Sequence, residues 1–120
     1  MKKILIVDDN AQMRRLLTIT LNNDYEVIEA CDGEDALAKI QNLKPDAVLL
    51  DVMMPGQLDG MQVLNVIKKD PLHVNTLVAM VTACDRSADC DFGHQLGADA
   101  YFIKPFSPLS MVRWLNEKLV

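Results

Sequence analysis

The chain has 120 residues, half of them apolar and 24% charged, with a net charge of −5 and no cluster of lysines or arginines. That length fits one domain with a full core. The acidic balance argues against duplex nucleic acid or an anionic membrane as a direct partner.

Short apolar runs alternate with helix-like stretches along the whole chain, as expected of βα units and a parallel sheet. IleLeuIleVal (4–7) reads as a buried strand and stops at Asp8 and Asp9. Asn10 then caps a helix carrying Met13, Leu16, Leu17, Thr20 and Leu21 at helical spacing. TyrGluValIleGluAla (25–30) alternates like a strand exposed near one edge, and Asp32 caps a helix from about Gly33 to Leu43 with Ala36, Leu37 and Ile40 on one face. Pro45 leads into AlaValLeuLeu (47–50), which stops at Asp51. The loop 52–60 carries the turn signals Pro55, Gly56 and Gly60. A helix follows from Met61 to Asp70, with Val63, Leu64, Val66 and Ile67 inward, and Pro71 ends it.

A fourth strand at about 76–81 stops at Thr82. The segment 85–96 reads as a helix of low apolar content, closed by Gly97 as its C′ residue. TyrPheIle (101–103) leads into Lys104 and Pro105. The final helix opens with Ser107 as a cap and Pro108 at its first position. In that helix Pro108, Val112, Leu115 and Leu119 share one side, and Trp114 lies well off it, either on an exposed partner-binding face or packed on its neighbours.

Five strands and five helices with no repeat or linker make residues 1–120 one α/β domain: a doubly wound five-stranded parallel sheet in a three-layer sandwich, strand order 2-1-3-4-5. That order sets the first and third strands side by side, and ligands bind beyond the carboxyl ends at such a switch point. Taken singly, Asp8, Asp9, Asp51, Thr82 and Lys104 have plainer readings as caps, strand residues or a surface lysine. At the ends of neighbouring strands they form a site. Packed carboxylates require a compensating cation or proton, and an all-oxygen donor set suits Mg²⁺. Lys104 is a point charge fitted to a phosphoryl oxygen or to neutralising the acidic cluster, and Pro105 directly behind it helps aim the side chain. The Thr82 hydroxyl is placed to donate to a phosphoryl oxygen.

Cys31, Cys84 and Cys90 are an odd count without metal-type spacing, and His73 and His94 show no pairing pattern. Free thiols in a reducing cytoplasm are expected. The apolar run behind Lys2 and Lys3 is too short for a signal peptide or a membrane span.

In this order the residues resemble the receiver domain of two-component response regulators, the single-domain chemotaxis regulator included. The resemblance covers the whole chain and rests on AspAspAsn (8–10), LeuLeuAspValMetMetProGly (49–56), AspGly (59–60), ValThrAla (81–83), GlyAlaAsp (97–99) and LysProPhe (104–106). It implies a flavodoxin-like fold in which Asp51 accepts a phosphoryl group from the phosphohistidine of a sensor histidine kinase or a phosphotransfer protein. Asp9 and Asp51 would ligate Mg²⁺ (or Mn²⁺) directly, with Asp8 acting partly through water and Met53 through its backbone carbonyl. Lys104 and Thr82 would hold phosphoryl oxygens, and Tyr101 would be the aromatic whose rotamer follows Thr82. The resemblance further implies a switch rather than a turnover enzyme, one that assists its own phosphorylation and dephosphorylation. Its downstream partner, a protein target or a second copy of the chain, would be met through the face made by the last two helices and the fifth strand, with no direct role for nucleic acid or membrane.

Three other functions compete. An Asp-nucleophile Mg²⁺ phosphatase of the haloacid-dehalogenase type needs D-x-D after the first strand, where this chain has Asp8-Asp9. A flavodoxin-type carrier needs a Ser/Thr/Gly-rich first loop, and AspAspAsnAlaGln (8–12) repels phosphate unless a metal intervenes. An unphosphorylated adaptor usually lacks one of the key residues, all of which are present.

The chain also departs from the family pattern. Gly60 lies nine residues after Asp51, one more than in the commonest form of the loop. Met53 and Cys84 occupy positions that are polar or charged in many relatives, and neither orients an attacking water well. A long-lived aspartyl phosphate is the expected consequence. Introducing Met53→Asn together with Cys84→Glu should speed hydrolysis, measured as the decay of phosphorylated protein after removal of donor; unchanged decay would refute it.

Overall fold

The computed structural model describes residues 1–52, 54, 58–73, 75–82, 97–104 and 106–119, with the side chain of Thr82 excepted. Within them run β1 (Lys3–Val7), α1 (Ala11–Leu21), β2 (Glu26–Ala30), α2 (Gly33–Leu43), β3 (Ala47–Asp51), α3 (Gly60–Lys69), a 3₁₀ turn (Pro71–His73), β4 (Leu77–Thr82), β5 (Ala100–Ile103) and α4 (Pro108–Lys118). The helix expected over 85–96 falls outside the described residues, so α4 is the helix expected as the fifth. Among the described residues no helix is long and apolar enough to cross a membrane.

All strand pairings are parallel, in the order β2-β1-β3-β4-β5. Strand side chains alternate between faces, and the alternation divides the core in two. Leu5, Val7, Val48, Leu50, Val78 and Met80 face α2 and α3, where they meet Ala36, Ile40, Val63, Leu64 and Ile67. Ile4, Ile6, Ala47, Leu49, Ala79 and Val81 face α1 and α4, where they meet Leu17, Leu21, Met111 and Leu115. Both faces of β1, β3 and β4 are covered, which explains why these strands are unbroken apolar runs. β2, at one edge, keeps Glu26 and Glu29 exposed, as its mixed pattern led us to expect.

Helix starts follow the capping chemistry. Asn10 accepts from the amides of Gln12 (2.9 Å) and Met13 (3.3 Å), and Asp32 accepts from that of Asp35 (2.8 Å). α3 begins one residue before the expected Met61, because Asp59 and Gln62 close a reciprocal capping box. Ser107 occupies the N-cap of α4 but its side chain makes no capping bond; Pro108 is what starts this helix. Gly97 has φ +100°, a backbone conformation that favours glycine; the helix it was expected to close lies outside the described residues.

Two expected core positions are corrected. Leu16 is 46% and Val66 43% exposed, because Met13, Leu17 and Leu21 of α1 and Val63, Leu64 and Ile67 of α3 already fill the narrow stripe that the sheet covers. Met111, absent from the expected stripe of the last helix, is fully buried. Trp114 is not a free anchor: its ring meets Phe102 of β5 edge-on, with centroids 6.1 Å apart, and packs against the α1/α4 side of the core.

Gly60 is set by close approach. A Cβ there would lie 2.1 Å from the carbonyl oxygen of Asp51 and 2.7 Å from the Cα of Val52. The Gly60 amide donates to Val52 O at 3.0 Å, closing the loop from β3 onto the start of α3. Gly60→Ala must move backbone against backbone, and should cost about 2–3 kcal/mol in denaturant unfolding.

Candidate functional site

Strand parity brings the site together. Asp8 continues the Ile4, Ile6 face of β1, Asp51 the Ala47, Leu49 face of β3, and Lys104 the Ala100, Phe102 face of β5. All three side chains thus emerge at the carboxyl ends of strands on the α1/α4 side. In the ladder Val7 pairs with Leu50, so the next residues, Asp8 and Asp51, are neighbours.

Carboxylate oxygens of Asp8, Asp9 and Asp51 all lie within 4.8 Å of one another. Asp8 and Asp51 are 3% and 6% exposed, whereas Asp9 faces solvent. At that separation two buried carboxylates repel by about 3 kcal/mol for an effective dielectric near 20. Lys104 Nζ offsets part of this: it donates to Asp8 Oδ2 at 3.1 Å and sits 3.5 Å from Asp51 Oδ2. The Asp8 Oδ1 atom accepts from the Asn10 amide at 2.9 Å. Among the described residues three carboxylates thus cluster while the Lys104 ammonium pairs with two of them, and the oxygen-only donor set fits a small divalent cation.

Of the residues singled out in the sequence, the structure brings together Asp8, Asp9, Asp51 and Lys104. Thr82 closes β4 beside Ile103 of β5. Tyr101, partly buried on β5, packs against the α2/α3 side of the core. Met53, Cys84 and Pro105 lie outside the described residues.

Sequence reasoning missed Arg14. Its Nη1 donates to the backbone oxygen of Asp8 at 2.6 Å, and its Nε pairs with Glu29 Oε1 of β2 at 3.2 Å. The available signal was helical spacing, because Arg14 stands one turn after the cap Asn10 and so leans back toward the strand end. Arg14 also lines a surface concavity of about 590 Å³ on the flank of α1, with Ala11, Arg15, Thr18 and Ile19, apart from the carboxylates.

Burial acts to lower the pKa of Lys104, but the charge of Asp51 and the hydrogen bond and charge of Asp8 outweigh it, so the ammonium titrates above its ordinary value. A raised folded-state pKa gives stability that is fully present below the unfolded value and is lost as pH rises through the folded one. The stability advantage of wild type over Lys104→Met should therefore hold at neutral pH and shrink above about pH 10.4, measured by denaturant midpoints across an alkaline series in EDTA.

The chain matches the response regulator receiver domain family over residues 4–116. It is 46% identical over 108 residues to the alkaline phosphatase synthesis transcriptional regulatory protein PhoP of Bacillus subtilis, covering 89% of this chain and 44% of that protein. With the DNA-binding response regulator MtrA of Mycobacterium tuberculosis it shares 36% identity over 119 residues, covering 98% of this chain and 50% of the relative. The chain thus spans about half the length of these curated relatives. Among solved structures, chemotaxis protein CheY4 of Vibrio cholerae superposes with a TM-score of 0.90 at 31% identity over 98% of each chain. A CheY-like receiver domain of Methanospirillum hungatei gives 0.92 at 32% identity, covering 99% of this chain and 94% of the other.

Proposed function

This chain belongs to the response regulator receiver family of two-component signalling, and on that premise we propose that Asp51 is its phosphoacceptor. The observation that carries the assignment is a cluster of three carboxylates whose oxygens lie within 4.8 Å of one another, two of them, Asp8 and Asp51, paired with the Lys104 ammonium. Asp51 ends the central strand of the sheet, and its carboxylate is directed to the acidic cluster by β3 itself.

In the proposed step an Asp51 carboxylate oxygen attacks the phosphorus of a phosphohistidine in line with the leaving imidazole. The P–O bond forms as the P–N bond breaks, and the electron pair of the old bond leaves on the imidazole nitrogen. Lys104 is protonated and already 3.5 Å from Asp51, so it meets the charge arriving on the phosphoryl oxygens without reorganising. Asp8 keeps that ammonium in place through its 3.1 Å bond. Asp8, Asp9 and Asp51, with the Met53 carbonyl, would hold Mg²⁺ or Mn²⁺, which when bound offsets phosphoryl charge and fixes the geometry of transfer. Thr82, at the end of the strand beside Asp51, is the residue we assign to a phosphoryl oxygen, and Tyr101 is assigned as the aromatic that follows it.

On this reading the site supplies positioning and charge, and the chain acts as a phosphoacceptor switch that assists its own modification. A sensor histidine kinase or phosphotransfer protein is the proposed donor. The proposed readout, to a downstream protein or a second copy, runs through the face that includes β5 and α4. A cytoplasmic setting suits such partners.

Acetyl phosphate with Mg²⁺ should add one phosphoryl group to the wild-type chain, detected by intact mass. Asp51→Asn should reduce labelling to background, and EDTA should do the same to wild type. Labelling retained in Asp51→Asn would overturn the assignment, steady release of phosphate from a free phosphoester would favour the phosphatase, and no labelling at all would favour the adaptor.

A further inference from the structure

We infer that Arg14 is a positioning residue for the acidic site: it fixes the Asp8–Asp9 peptide, and so sets the direction from which Asp9 joins the other two carboxylates. This rests on the reading of Asp8, Asp9 and Asp51 as a divalent-cation site. It adds a residue that the acidic motif does not contain.

The β1 ladder ends at Val7. One further backbone bond, from the Asp8 amide to Ala30 O at 3.2 Å, holds the near side of Asp8. Its far side, the carbonyl of the Asp8–Asp9 peptide, is held by the Arg14 guanidinium at 2.6 Å. Asp9 lies immediately beyond that peptide. Its carboxylate is exposed and has no hydrogen-bond or ion-pair partner among the described residues, yet it lies within 4.8 Å of oxygens from Asp8 and Asp51. Among the described residues no side-chain bond of its own holds Asp9 in the cluster, and the backbone leading into it is what the structure ties down.

Arg14 is suited to that work. Its side chain is only 18% exposed, and its other donor is tied to Glu29 Oε1 of β2 at 3.2 Å. The Glu29 side chain is 44% exposed, so this ion pair contributes little to stability by itself. Its effect is directional. A planar guanidinium fixed at one edge by Glu29 presents its other edge to the Asp8 carbonyl at a set angle, which a lysine ammonium does not reproduce. The chain from Glu29 through Arg14 to Asp8 also spans β2, α1 and the end of β1, so the peptide is referenced to two flanking elements.

Charge alone predicts the opposite behaviour, and this makes the inference testable. A cation beside three carboxylates competes with Mg²⁺, so deleting Arg14 for its charge would tighten metal binding. Deleting it as a positioning group loosens binding, and partners that orient metal ligands are commonly worth about tenfold or more in affinity.

The experiment is Mg²⁺ titration calorimetry on the full chain. Arg14→Ala and Arg14→Lys should both weaken binding by about tenfold, and Glu29→Ala, which leaves Arg14 in place and removes the acceptor at its outer edge, should weaken it in the same direction. Tyr25→Phe serves as the control for lost stability, since it removes the Tyr25–Asn116 hydrogen bond just ahead of β2, at the opposite end of the strands, and should leave Mg²⁺ affinity unchanged. Tighter binding in Arg14→Ala overturns the inference, as does wild-type affinity in Arg14→Lys or Glu29→Ala. Mg²⁺ binding by wild type with no response to these variants spares the cation-site reading; absence of Mg²⁺ binding by wild type overturns both.

Discussion

The repulsion among Asp8, Asp9 and Asp51 is the constraint around which the upper end of this molecule is built. Their carboxylate oxygens lie within 4.8 Å of one another, and two of the three residues are almost wholly buried. A fold tolerates such a cluster only where rigid elements impose it and a cation offsets it. Two adjacent central strands supply the rigidity, and Lys104 supplies the offsetting charge from β5. The backbone of Gly60, packed against that of Asp51, closes the cluster from the side of α3.

These parts have unequal roles. The apolar faces of β1, β3 and β4 hold the sheet between two helical layers, and each large side chain buried there contributes about 1.5–3 kcal/mol. The acidic cluster opposes folding, and Lys104 relieves it only in part. A site left with surplus negative charge attracts a divalent cation, and a cation so held favours the arrival of a phosphoryl group. The same imbalance that costs stability thus prepares the chemistry proposed for Asp51. Arg14 adds a cation on the other side of Asp8, where it bonds the backbone oxygen of Asp8 rather than its carboxylate.

Much of this was legible in the residues. The unbroken runs ending at Asp8, Asp51 and Thr82 fixed β1, β3 and β4 closely, because strands buried on both faces carry an apolar side chain at every position. Asn10, Asp32 and Pro108 marked helix starts through local chemistry that needs no tertiary partner. Leu16 and Val66 misled, since periodicity reports that a residue is apolar and near the inner stripe but does not report where the sheet ends. Met111 went unnoticed in the last helix although the sheet buries it fully. Arg14 was missed as well: helical spacing placed it one turn after Asn10, but its partner at the site is the Asp8 backbone carbonyl, and a carbonyl leaves no mark in the identity of the residue that bears it.

The sequence by itself determined the βα order, the parallel sheet, and the set of acidic and basic strand ends, because strand length, alternation and caps are encoded over a few residues. Tertiary structure alone decided that Asp8, Asp51 and Lys104 share one face and that Trp114 rests on Phe102. Those facts depend on register between strands and on which helix covers which face. Both are set by packing between residues far apart in the chain, so no local pattern carries them.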